Sequence, residues 1–132
     1  MVLEVTSGTI ATLVEEATRA HPLECCGLLL GEGPGIAEVR PAANIHPDPA
    51  RHFEVDPQAL IEAYRAARGG GPQVLGYYHS HPNGLAEPSA SDRAAAAGDG
   101  RIWAIIAAGA VSWWRDLPDG FEAIYCAEGG AG

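Results

Sequence analysis

The run Val74-Leu75-Gly76-Tyr77-Tyr78-His79-Ser80-His81-Pro82, followed six residues later by Ser89-Ala90-Ser91-Asp92, decides how this chain is read. Residues 74–79 read as a strand, residues 82–88 as a loop, and Ser89 or Ser91 as the cap of an Ala-rich helix ending near residues 98–100. In a strand, side chains two apart share a face. His79 and His81 therefore present their imidazoles side by side where the strand runs out at Pro82. Asp92 falls in the first turn of the following helix, and a short loop folding that turn back would bring all three groups together. Two imidazoles and one carboxylate suit zinc, and three protein ligands leave the fourth position open to water, as in catalytic sites. The reaction implied is hydrolysis. Each piece also has a plainer reading. A His-x-His pair alone is what two surface histidines look like, and Ser89-x-x-Asp92 is a capping box. A cap there would itself fix Asp92, so the two readings are compatible.

Working outward, residues 2–5 form a short strand, and helical spacing of Ile10, Leu13, Val14 and Ala17 begins after Ser7, a plausible N-cap. The unbroken apolar run 25–30, between Glu24 and Gly31, reads as a strand buried on both faces and paired in a hairpin with 36–43. A loop over 44–50 leads to a short strand over 52–55. Asp56-Pro57 then opens a helix running to about Arg68. After the Ala-rich helix, three strands are expected at 102–107, 111–116 and 121–126. The alternation implies one α/β domain over residues 1–127, a mixed sheet covered by two or three helices in three layers, with residues 128–132 as a flexible Gly-rich tail.

Composition narrows the function. A net charge of −9 argues against binding nucleic acid, where affinity comes from cations displacing counterions. All eight basic residues are Arg, so the chain offers no lysine amine as a conjugation acceptor. The longest apolar runs fall well short of the ~20 residues of a membrane span, and Met1-Val2-Leu3-Glu4 shows no basic region followed by an apolar block, so no secretory signal is expected. Adjacent Cys25 and Cys26 and distant Cys126 suggest no disulfide, which points to the reducing cytoplasm. They read as small apolar fillers, while His46 and His52 lack a ligand-like spacing.

His79-Ser80-His81-Pro82, six residues, then Ser89-x-x-Asp92 resembles the His-x-His-Pro-x6-Ser-x-x-Asp signature of the JAMM (MPN+) metalloproteases. The segment His21-Pro22-Leu23-Glu24-Cys25-Cys26-Gly27-Leu28-Leu29-Leu30-Gly31 is similar to that family's glutamate element. The resemblance implies an MPN/JAB (cytidine-deaminase-like) fold with one zinc per chain on His79, His81 and Asp92. It further implies Glu24 as the general base and Ser89 as a donor to the oxyanion. Ser80 faces the other side of the strand and is assigned to packing. The short segments around residues 44–51 and 93–101 leave little room for the insertions of the ubiquitin-specific members. The chain instead resembles the compact prokaryotic type, which acts on ubiquitin-like or sulfur-carrier proteins ending in Gly-Gly, in some cases releasing cysteine from the carrier. Two other readings stand beside this one: a non-catalytic scaffold of the same fold, and a cysteine hydrolase using Cys25 or Cys26. Whether the chain is a monomer or a homodimer is open.

Overall fold

The computed structural model describes residues 2–129. Eight strands form one mixed sheet: β1 Val2–Thr6, β2 Cys26–Glu32, β3 Gly35–Ala42, β4 Gln73–Ser80, β5 Ile102–Ala107, β6 Ala110–Leu117, β7 Gly120–Ala123 and β8 Tyr125–Gly129. Their spatial order is β7-β6-β5-β4-β2-β3-β1-β8. The pairs β1/β3, β1/β8 and β4/β5 are parallel and the others antiparallel. Three helices join them: α1 Ser7–Ala20, α2 Pro57–Arg68 and α3 Ala90–Ala95.

The two outermost strands, β7 and β8, are separated in sequence by Ile124 alone. Seven inter-strand gaps of ~4.8 Å would put the edges of a flat sheet about 34 Å apart, far beyond the reach of one residue. The sheet must therefore curl strongly. Its concave face closes on α1, whose Ile10, Leu13, Val14 and Ala17 pack among Leu3, Leu29, Tyr78, Ile106 and Trp113. On the opposite face Leu28, Leu30 and Val74 pack against Leu60, Ala63 and Tyr64 of α2. Alternate residues of β2 thus serve different helices, so its apolar run is continuous and its first six residues are buried. The three-layer mixed α/β arrangement expected from the sequence is the one found.

Local chemistry sets the ends of the elements, with departures from expectation. Thr6, not Ser7, caps α1, its Oγ1 accepting from Thr9 N at 3.2 Å. Asp56 caps α2 as expected, with Pro57 in the first position. Helix α3 ends at Ala95 instead of reaching residues 98–100. The buried Asp116 carboxylate accepts hydrogen bonds from Ala97 N and Gly98 N at 3.0 Å each, and these hold the chain off the helical path. The strand expected at 121–126 splits into β7 and β8, one on each edge of the curled sheet. The strand expected at 52–55 is absent except for a bridge from Val55 to Asn44. Here the Asn44 side chain takes up backbone groups a second strand would have paired: Oδ1 accepts from His46 N and Glu54 N, and Nδ2 donates to the His52 carbonyl. Strand β8 runs through Gly129, two residues past the expected boundary at Ala127, because it pairs with β1 along its length. The rest of the expected tail, residues 130–132, lies outside the described residues. Among the described residues no helix is long and apolar enough to cross a membrane.

Candidate metal centre

Strand β4 ends at the centre of the sheet, between β2 and β5. Its pairing aligns His79 with Cys26 of β2 and Ile105 of β5, and His81 N continues the ladder by donating to the Ile106 carbonyl at 2.9 Å. The two imidazoles converge as strand periodicity requires, with Nε2 atoms 3.0 Å apart. Asp92 reaches both, its Oδ2 lying 3.1 Å from His79 Nε2 and 3.0 Å from His81 Nε2. All three residues are buried. Ser89 and Asp92 form the expected capping box: Asp92 N donates to Ser89 Oγ at 3.0 Å, and Ser89 N donates to Asp92 Oδ2 at 2.9 Å. The helix start thus positions the carboxylate before any ion binds.

The donor set fits a single divalent ion. Tetrahedral coordination with bonds of ~2.0–2.1 Å puts neighbouring donors about 3.3 Å apart, close to the triangle formed here. The electrostatics agree. Burial would raise the Asp92 carboxyl, but hydrogen bonds from His79 and His81 outweigh it and hold Asp92 ionised far into acid. Burial holds His79 below its usual range despite Asp92. Burial also pulls His81 down, but its hydrogen bonds to Asp92 and to the Leu85 carbonyl outweigh that and leave it raised. An ionised carboxylate and two imidazole nitrogens are what a borderline cation selects.

The antiparallel register explains the fourth residue. Since Cys26 faces His79, extending the pairing by two residues sets Glu24 opposite His81. Glu24 is buried, and that burial raises its carboxyl to about 7, with His81 lowering it and Asp92 raising it. Glu24, His81 and Ser89 line one cleft of 880 Å³, walled by the loop of residues 82–88 and by Ala50 and Arg51. A groove of 520 Å³ reaches Asp92 from another direction, lined by His46, His52, Phe53, Glu54, Ser91, Ala94 and Ala95. His46 and His52 lie against each other in that groove, ring centroids 4.8 Å apart, and outside the ligand cluster. Ser80 keeps to the far side of β4, its Oγ accepting from Cys25 N at 2.9 Å.

Supporting residues that sequence reasoning missed complete the site. Phe53 stacks on His79 (centroids 4.1 Å, interplanar 17°) and Trp103 meets it edge-on at 5.7 Å. The Leu85 carbonyl accepts from His81 Nδ1 at 2.7 Å, which fixes the proton there and leaves the Nε2 lone pair for a metal. Asn44 Nδ2 donates to the Glu24 carbonyl at 3.0 Å and also to the His52 carbonyl, tying Glu24 to the segment that carries Phe53. Only Asn44 had a sequence signal, its position opposite Glu24 once β2 and β3 are paired.

The cysteines are free, and Cys25 and Cys26 are buried. Burial raises both thiols, Cys26 to about 12. A thiol so far from ionising is a poor nucleophile, which counts against the cysteine-hydrolase reading.

Fold and site together define an α/β domain with a candidate metal site at the end of a central strand and an ionisable carboxylate beside it. The chain belongs to the family of prokaryotic homologs of the JAB domain, whose model matches residues 6–116. It is 32% identical over 93 residues to a desampylase of Haloferax volcanii, covering 69% of this chain and 67% of that protein. It is 42% identical over 82 residues to a "probable TtuB-protein conjugate cleaving protease" of Thermus thermophilus, covering 58% of this chain and 55%, about half, of that protein. A solution structure of a Desulfitobacterium hafniense protein superposes with a TM-score of 0.84 at 28% identity, over 98% of this chain and 93% of that one.

Proposed function

We propose that the chain is a zinc peptidase that hydrolyses the amide bond after the C-terminal Gly-Gly of a ubiquitin-like modifier or sulfur-carrier protein. The observation that carries this reading is the convergence of His79, His81 and Asp92 within 3.0–3.1 Å beside a buried glutamate. The relatives lend support, one being named a desampylase and the other for cleaving TtuB-protein conjugates. A zinc ion, one per chain, would act as a Lewis acid, making water acidic and polarising the scissile carbonyl.

The chain's own residues supply the rest. Glu24 accepts the proton of the attacking water and returns it to the departing amine; a carboxyl raised to about 7 holds a proton well enough to do both near neutral pH. Ser89 Oγ spends a lone pair on the Asp92 N–H, so its own proton remains for the oxyanion developing on the carbonyl. The groove beside Phe53, walled by Ala94 and Ala95, suits a side-chain-free Gly-Gly tail. The free cysteines fit a cytoplasmic setting.

The test is Glu24→Gln. It should retain zinc at the parent's stoichiometry and lose cleavage of a Gly-Gly-linked carrier by at least about a hundredfold, the low end for a general base. Metal analysis alongside a cleavage assay reads both, and undiminished cleavage would refute the assignment. The variant also carries its own folding control. A carboxyl raised from 4.5 to about 7 contributes stability in full below 4.5 and loses it as pH rises through 7. Metal-free Glu24→Gln should therefore unfold later than the parent at pH 8, by on the order of 3 kcal/mol, and match it near pH 4. Less than half a zinc per chain in the gently purified parent would instead favour a scaffold without catalysis.

A further inference from the structure

The cleft holding Glu24 carries one cation besides the ligand His81. Arg51 lines it opposite the loop of residues 82–88. Its backbone N–H donates to the Asp48 carbonyl, but its guanidinium is exposed and has no ion pair or hydrogen bond among the described residues. The setting makes that notable. The chain bears a net −9, and Glu24 and Glu87 line the same cleft, so Arg51 is the guanidinium there that can offset this negative charge toward an anion.

Chemistry fixes which part of a substrate meets Arg51. Hydrolysis adds one water across the C–N bond: the hydroxyl goes to the carbonyl carbon, and a proton goes to the nitrogen. Glu24 delivers that proton, so the departing amine lies on the Glu24 side, in the cleft with Arg51. When the amine is the α-amino group of a single terminal amino acid, a free carboxylate is attached to the carbon that bears the scissile nitrogen. When it is a lysine ε-amine within a protein, four methylenes intervene and the lysine carboxyl is already part of a peptide bond.

We infer that Arg51 is a specificity-determining residue that pairs with the α-carboxylate of a leaving amino acid, so that the enzyme favours removing one terminal residue from a Gly-Gly carrier over opening a lysine conjugate. The fork of the guanidinium matches a carboxylate at two points, a geometry lysine does not offer. This assignment rests on the hydrolase reading above, and it decides between the two leaving groups that reading leaves open.

The test uses the zinc-loaded full chain and three forms of one ubiquitin-like carrier from the same genome. The first is extended beyond Gly-Gly by one alanine with a free carboxylate, the second by alaninamide, and the third is joined to the ε-amine of Nα-acetyl-lysine amide. The parent should prefer the acid to the amide by on the order of tenfold in kcat/KM, the scale of a charge-assisted contact. Arg51→Gln should abolish that preference through KM, leaving the other two substrates within about twofold. Arg51→Lys should restore part of it. Since only the Arg51 backbone is bonded, these variants should fold as the parent does. No preference in the parent, or an equal fall on all three substrates in Arg51→Gln, would overturn the assignment while leaving the hydrolase intact. Failure of the parent to cleave any of the three would remove the hydrolase reading and this one with it.

Discussion

His79 and His81 are two residues apart on one strand and point at one spot, yet the protein holds them by opposite means. His79 is fully buried, and its ring is clamped by aromatic carbon: Phe53 on its face and Trp103 at its edge. Its Nδ1 has no hydrogen-bond partner among the described residues. His81 stands at the cleft, and its ring is set by a hydrogen bond to the Leu85 carbonyl in the turn that follows it. The difference follows from the strand. His79 lies within the pairing of β2, β4 and β5, where neighbours are apolar side chains and backbone groups are spent on ladders. His81 lies where the strand gives way to a loop with carbonyls to offer. One ring is oriented by packing, the other by backbone chemistry, and Asp92 hydrogen-bonds both.

That contrast can be broken at three depths. Asp92→Asn keeps the shape of the helix cap but removes the shared anion. It should lower metal affinity by more than the 10–100-fold typical of losing an outer-shell partner, and abolish activity with it; competition against a chelator measures this. Phe53→Ala attacks only the packed side. It should cost about 10–100-fold in metal affinity, with Phe53→Leu milder because it still covers the ring face. If Phe53→Ala binds metal like the parent, packing does not orient His79. Gly84→Ala attacks only the loop side. Gly84 has φ +79, where an L side chain costs about 1–2 kcal/mol, so the turn should shift and carry the Leu85 carbonyl off His81. Affinity should fall by about tenfold, whereas Leu85→Ala should leave it unchanged, because the carbonyl is kept and that side chain is exposed. The smallest effect sharpens the contrast without mutation. In the metal-free protein His81 should protonate at higher pH than His79, since its value is raised and that of His79 lowered. Two-dimensional NMR of the ring protons would show the order, and metal should be lost on acidification as His81 takes up its proton.

The convergence of His79, His81 and Asp92 was legible in the sequence because its geometry is local. Strand periodicity aligns His79 with His81, and a capping box fixes Asp92 to its own helix start, so each needs only residues nearby in the chain. The elements that read correctly share this property: β5 matched its expected bounds, and Asp56-Pro57 marked the start of α2. The elements that misread were decided by distant partners. Helix α3 stops early because Asp116, about twenty residues on, takes the Ala97 and Gly98 amides that would have continued it. Residues 121–126 look like one strand, and only the curl of the sheet sends their two halves to opposite edges. The 52–55 segment has the pattern of a strand, but the Asn44 side chain occupies the place of its ladder.

The sequence by itself determined which atoms can hold a metal, through the fixed period of a strand and the fixed spacing of a helix cap. From the residues alone, Glu24 was only a carboxylate before a buried strand; the role proposed for it came from family resemblance. What tertiary structure alone decided is the surroundings: that β2 and β4 pair in a register setting Glu24 opposite His81, that Phe53 lies on His79, and that Arg51 overlooks the cleft. The physical reason is range. Backbone geometry carries information over a few residues, whereas register, burial and the company a charge keeps are set by chain segments that meet only when the sheet curls and closes.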